Sequence, residues 1–234
     1  MTRRTDDLGR AFKGSQRQIQ IAVAHRKKEL SKAILTRLPF PDGTQLVWKS
    51  PLEKEKFKEY RDESFLEAVN LKELADDLRD FWPRRGPQWD GLARLEKKGK
   101  LTGIVLVEAK SYPKEMRVQR CKAKPESRKR IERSIEAAKG LFDADPLDDW
   151  LGTYYQFANR LSHIYFLRET ADIKAWLVNL CFVDDKTIKE KATKKGDYKD
   201  ELKLAKKELG LKDEVPYVAD VFLDASDLPW PPTT

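Results

Sequence analysis

Residues 89–110, WDGLARLEKKGKLTGIVLVEAK, decide how this chain is read. Ile104, Val105, Leu106 and Val107 form a β-branched run suited to a strand covered on both faces. Trp89 to Glu96 has the composition of a second strand, and Lys97-Lys98-Gly99-Lys100 between them is a turn. The stretch therefore predicts a strand pair, 89–96 and 102–110, in antiparallel register. Side chains alternate along a strand, so Ile104, Leu106, Glu108 and Lys110 share one face. That face turns from aliphatic to Glu-x-Lys at its end. A strand emerging into water, or a local Glu–Lys ion pair, accounts for Glu-x-Lys taken alone. Asp90 adds a second acid at the start of the preceding strand. If the two strands pair through the lysine turn, Asp90 and Glu108 meet at one end of the hairpin. Two carboxylates there can hold a hard divalent cation through oxygen, with the carbonyl of Ala109 as a further ligand. Lys110 can then orient or deprotonate a water, or balance charge on a phosphate.

Outward from this hairpin the pattern is mostly helical. Ser15 to Leu38 reads as one helix, with Ile19, Val23 and Leu30 near helical spacing and basic residues between them. Pro41-Asp42-Gly43 is a turn, and Gln45 to Trp48 reads as a short extended piece. From Leu52 to about Asp80 two apolar sets follow at helical spacing. Asn70 with Glu73 has the form of a capping box starting the second. Helices are expected over about 125–142 and 151–169, a buried strand over Ala175–Val183, and a last strand over Tyr217–Leu223. Residues 186–214 are lysine-rich, helical or flexible, and Leu228-Pro229-Trp230-Pro231-Pro232 is a tail. From Leu71 the order is helix, strand, strand, helix, helix, strand, which gives a sheet with helices on both faces.

Composition narrows the function. The 234 residues are 40% hydrophobic with six tryptophans, enough for a core without disulfides or metal. Cys121 and Cys181, sixty residues apart, make no disulfide framework and fit a reducing cytoplasm. The start, MTRRTDDLGR, has no signal-peptide apolar run, and Ala175–Val183 is too short to span a bilayer, so no membrane partner is expected. Only His25 and His163 are present, which excludes a His-rich metal site, and phosphate-loop, dinucleotide and nucleophile-elbow motifs are missing. The net charge of +8 is unevenly spread. Residues 112–140 hold ten Lys/Arg against four Asp/Glu, whereas 59–80 hold eight acids against three bases. Solvated helix faces explain each stretch alone; together they suit a site needing an anionic ligand and a cation.

With Asp90, then Glu108-Ala109-Lys110, in the order acid, strand turn, acid-x-Lys, the sequence resembles the PD-(D/E)XK nuclease superfamily. The resemblance covers about half the chain, and Trp89 stands where the motif has proline. It implies an α/β, three-layer, restriction-endonuclease-like core with a mixed central sheet flanked by helices. The expected layout is an N-terminal helical extension (1–50), the core (51–185) and a basic C-terminal extension packing on it (186–234). It implies metal-dependent hydrolysis of phosphodiester bonds in nucleic acid, DNA before RNA, with Mg²⁺, or Mn²⁺, held by Asp90, Glu108 and Ala109, and Lys110 assisting. Gln156, Arg160 and His163 form one polar stripe on the 151–169 helix. Gln156 is expected to face the metal site and Arg160 to line it. Arg84, Arg85, Arg117, Arg120, Lys124 and Arg160 are the expected nucleic-acid contacts. Glu73, Asp76, Asp77 and Asp80 are further candidate acids. The alternative is a non-catalytic nucleic-acid-binding or structural module that keeps the nuclease fold. A homodimer stays open as an arrangement.

Overall fold

In the computed structural model, which describes residues 4–40, 43–117, 120–189, 193–227 and 230, the apolar run 104–107 lies at the centre of one five-stranded sheet. Its strands are β1 (Gln45–Ser50), β2 (Gly91–Lys97), β3 (Lys100–Lys110), β4 (Ala175–Val183) and β5 (Val218–Asp224), adjacent in that order. β1–β2 and β2–β3 pair antiparallel, while β3–β4 and β4–β5 pair parallel. The helices are α1 (Gly14–His25), α2 (Lys27–Leu35), α3 (Asp62–Ala68), α4 (Ala75–Phe81), α5 (Pro125–Leu141), α6 (Tyr155–Tyr165) and α7 (Lys195–Glu208). No described helix is long and apolar enough to cross a membrane.

Strand alternation splits the core in two. Val105, Val107, Val178 and Leu180 join Ile19, Val23, Leu30 and Ile34 of α1 and α2 on one face. Ile104, Leu106, Leu177 and Cys181 join side chains from α3–α7 on the other. Helices thus cover both faces, and the α/β class with a mixed sheet is observed. The β2–β3 turn is tight because Lys98 and Gly99 both take positive φ, 51° and 76°, the geometry of a two-residue hairpin. The outer strands come from the segments expected to be extensions. Residues 45–50, read as a short extended piece, form the β1 edge, and 218–224, read as a last strand, form the β5 edge.

Three local expectations are corrected. The 15–38 helix is two helices broken at Arg26 (φ −121°, ψ 26°), whose guanidinium grips Glu29 and the Asp224 carbonyl. Both helices feed one apolar cluster, so periodicity alone does not reveal the break. Asn70 ends α3 instead of starting a helix. It sits at φ 64°, its N–H reaches the Glu67 carbonyl at 3.1 Å and the Leu71 N–H reaches Leu66 at 2.8 Å, a Schellman closure. The helix expected over 151–169 is regular only over α6 and ends in a wider turn, Phe166–Thr170. Pro41 and Asp42 of the expected turn, and most of the 228–232 tail, lie outside the described residues.

Candidate active site

The sheet register brings the two acids together. β2 begins at Gly91, opposite Val107, so β3 runs on for three residues without a β2 partner. Asp90 occupies that place with its side chain, accepting the Ala109 N–H on Oδ2 at 2.7 Å. The N–H and C=O of a strand residue point the same way. The Ala109 carbonyl is therefore directed to the Asp90 side of the strand.

Glu108 and Lys110 are buried, 7% and 8% exposed, on the face that packs against α6. Lys110 Nζ donates to Glu108 Oε1 and, at 3.0 Å, to Gln156 Oε1. Arg160, one turn further along α6, holds Glu108 Oε2 through Nε at 2.8 Å and Nη2 at 2.7 Å. Its Nη2 also donates to the Gln88 carbonyl at 3.1 Å, and its guanidinium lies over the Trp89 ring at 5.6 Å. Asp90, Glu108, Lys110, Gln156 and Arg160 thus lie in one cluster. A cavity of about 30 Å³ adjoins it, bordered by Glu108, Lys110, Gln156 and Asn179.

The two carboxylates titrate in opposite directions. Burial, then the charges of Glu108 and Glu59, hold the Asp90 carboxyl well above its ordinary range, against the pull of Lys110 and the Ala109 N–H. Burial also acts on Glu108, but Arg160 and Lys110 outweigh it and keep that carboxyl below its usual value.

Glu59 is the acid that sequence reading missed. It lies in the segment before α3 and reaches the site because Tyr60 bridges to Trp89. Gln88 donates to it at 2.6 Å and Gln16 at 3.1 Å, yet burial raises its pKa. Its membership in the acidic 59–80 stretch was the only signal pointing to it. The acids named instead, Glu73, Asp76, Asp77 and Asp80, are all exposed and make no hydrogen bond or ion pair with this buried cluster.

The basic residues divide. Arg84, Arg85, Arg120 and Lys124 form no hydrogen bond or ion pair with the acids of the site. Arg117 departs from expectation. Its guanidinium is spent on Glu201, at 2.7 and 2.8 Å, and Tyr154 donates to the same carboxylate at 2.8 Å. Glu201 is 7% exposed and needs that cation, so Arg117 is a structural partner first. His163 takes no part in the cluster.

Comparison of the chain with protein-family models, curated proteins and solved structures gives no match. The site must be judged on its own donors. Among the described residues, no group of three or more His, Cys, Asp and Glu side chains is arranged to enclose a metal. Mg²⁺ asks for less: it keeps several waters and is bound through one or two carboxylates and substrate phosphates. Asp90, Glu108 and the Ala109 carbonyl are hard oxygen donors of that kind, so the residues fit a hydrated Mg²⁺ or Mn²⁺ and no softer ion.

Proposed function

We propose that this protein is a divalent-metal-dependent nuclease of the PD-(D/E)XK type, hydrolysing phosphodiester bonds of DNA, and that its sheet is a restriction-endonuclease-like core. The observation that carries this reading is the Asp90 carboxylate holding the N–H of Ala109 between Glu108 and Lys110. It gathers acid, acid and lysine at one strand end.

Asp90, Glu108 and the Ala109 carbonyl would hold the cation. When bound, Mg²⁺ would polarise a phosphoryl oxygen and offset the charge that builds there. Lys110, steadied by Gln156, presents an ammonium that can orient a water or balance a phosphate oxygen. Arg160 fixes the Glu108 rotamer and ties it to the 82–88 loop through Gln88. Arg84, Arg85, Arg120 and Lys124 supply cations for phosphates, which position a strand without reading its sequence. The two buried, free cysteines suit a reducing cytoplasm.

One observation favours the non-catalytic alternative: both Glu108 oxygens are already ion-paired, by Lys110 and by Arg160. Thermal melts against Mg²⁺ and Mn²⁺ separate the two. The nuclease reading expects a saturable rise in Tm that disappears in Asp90→Asn and in Glu108→Gln. No rise in the parent protein supports the non-catalytic module.

A further inference from the structure

His163 completes the polar stripe of α6, but the proposed chemistry leaves it unused. The residue is 2% exposed, among the rings of Trp82 (centroids 4.9 Å apart), Trp89 (6.0 Å) and Phe81 (6.4 Å). Its Nδ1 lies 2.8 Å from the Asn159 carbonyl oxygen. A carbonyl only accepts, so Nδ1 carries the proton and Nε2 keeps a bare lone pair. Burial, helped by the charge of Arg160, pushes the imidazole pKa down to about 3, so the ring is neutral. Nε2 has no hydrogen-bond partner among the described residues and is left free to accept one from a ligand.

That nitrogen borders a groove of about 330 Å³, walled by Leu78 and Trp82, with Arg61, Arg79 and Arg84 at its rim. Gly86 keeps the approach open. A Cβ there would stand 3.4 Å from His163 Nε2, 3.3 Å from Trp82 Cδ1 and 3.1 Å from Asp62 Oδ1. Arg79 is engaged by Glu63 and Asp76, and Arg61 donates to the Gln88 side chain. Arg84 makes no hydrogen bond or ion pair among the described residues. A hydrogen-bonded relay links the groove's rim to the acids: Arg61 donates to the Gln88 side chain, and the Gln88 carbonyl accepts from Arg160, which holds Glu108.

We propose that this groove is a nucleobase subsite. A base unstacked from the substrate strand enters between Leu78 and Trp82 and donates an N–H to His163 Nε2, while Arg84 meets that nucleotide's phosphate. The substrate class rests on the nuclease reading above. A flat apolar body with an N–H edge and an adjoining anion matches the apolar walls, the neutral ring acceptor and the unpaired rim cation. The volume is at the low end of small-ligand sites, about 300–1,000 Å³, which suits one nucleotide and not a duplex. A base has to leave the duplex stack to present its edge inside such a groove.

The test uses the full chain in EDTA, with the ¹⁵N resonance of His163 Nε2 as the readout. The probes are the four deoxynucleoside 5′-monophosphates and deoxyribose 5-phosphate. Nucleotides are expected to shift the resonance saturably and the base-free sugar phosphate to leave it in place. His163→Phe should weaken nucleotide binding about tenfold, the value of one well-placed hydrogen bond. Arg84→Ala, a change at the rim, should weaken nucleotide and sugar phosphate alike. Nucleotides that leave Nε2 unmoved, or that bind parent and His163→Phe equally, overturn the subsite. Should His163→Phe not fold, the parent spectra decide alone. The measurement involves neither metal nor cleavage. A protein that binds nucleotides here but cuts nothing refutes only the nuclease reading. One that cuts DNA while Nε2 stays still refutes only the subsite.

Discussion

Asp90→Asn should make the metal-free protein more stable. The amide oxygen can still accept the Ala109 N–H now held at 2.7 Å, so that hydrogen bond survives. What disappears is a buried negative charge beside Glu108 and Glu59. The attraction to Lys110 that goes with it compensates only in part, because burial and the Glu108 charge outweigh it. The sign follows from linkage. An acid whose folded pKa lies above its unfolded value contributes stability that is complete below the unfolded pKa and is lost as pH rises through the folded one. The variant and parent should therefore melt together near about pH 4, where an unfolded aspartate begins to ionise. The variant should gain progressively above that. At neutral pH the gain should be about 1–2 kcal/mol, the scale of one uncompensated buried polar group. For a chain of this size that is about 2–8 °C in Tm. Melts in EDTA from acid to neutral pH measure it. A variant less stable than the parent at neutral pH would refute the reasoning, because Asp90 would then be a net stabiliser held by a charge partner. Saturating Mg²⁺ should reverse the order, since only the parent keeps both acids.

Three further outcomes follow from the same geometry. Tyr154→Phe removes a donor from the buried Glu201 carboxylate and should cost about 1–2 kcal/mol in urea unfolding at neutral pH. Burial raises the Glu201 pKa, but Arg117 and Tyr154 bring it below the ordinary value, so that penalty should fade as pH drops through the acid range. Gly103→Ala should destabilise by about 1–3 kcal/mol, measured the same way. A Cβ there would lie 2.6 Å from the Trp176 ring and 2.7 Å from the Lys174 carbonyl. In DNA binding measured against salt, replacing Arg84, Arg85, Arg120 and Lys124 by Ala should flatten the slope by about 0.9 for each phosphate no longer neutralised. Arg117→Ala should leave the slope unchanged, because Glu201 already neutralises that cation.

Much of the site was legible because two local rules fix it. A period of two puts Glu108 and Lys110 on one strand face, and a two-residue turn sets which end of the hairpin Asp90 occupies. Helical spacing grouped Gln156, Arg160 and His163 on one stripe without showing which of them meet the acids; Gln156 and Arg160 do, and His163 turns to the Trp82 side. Glu59 was illegible for the opposite reason. It arrives through the Tyr60–Trp89 bridge, a long-range pairing with no sequence period. Asn70 misled because asparagine serves equally at a helix N-cap and in the left-handed residue that closes a helix. Arg117 misled because charge density locates cations without showing which acids already hold them. The outer strands were read as strands at 45–48 and 217–223, but nothing local in the sequence says which neighbour an edge strand pairs with. Pairing with β2 and β4 makes both part of the sheet.

Single-turnover cleavage of linear, nicked, branched and single-stranded DNA, with Mg²⁺ or Mn²⁺, tests the central claim most directly. The parent should cut at least one substrate only when the cation is present. Asp90→Asn, Glu108→Gln and Lys110→Met should each abolish cutting while remaining folded, and Lys110→Met should still show the metal-induced rise in Tm. Equal cleavage by the parent and all three variants, or none by a parent that binds the cation, would contradict the assignment.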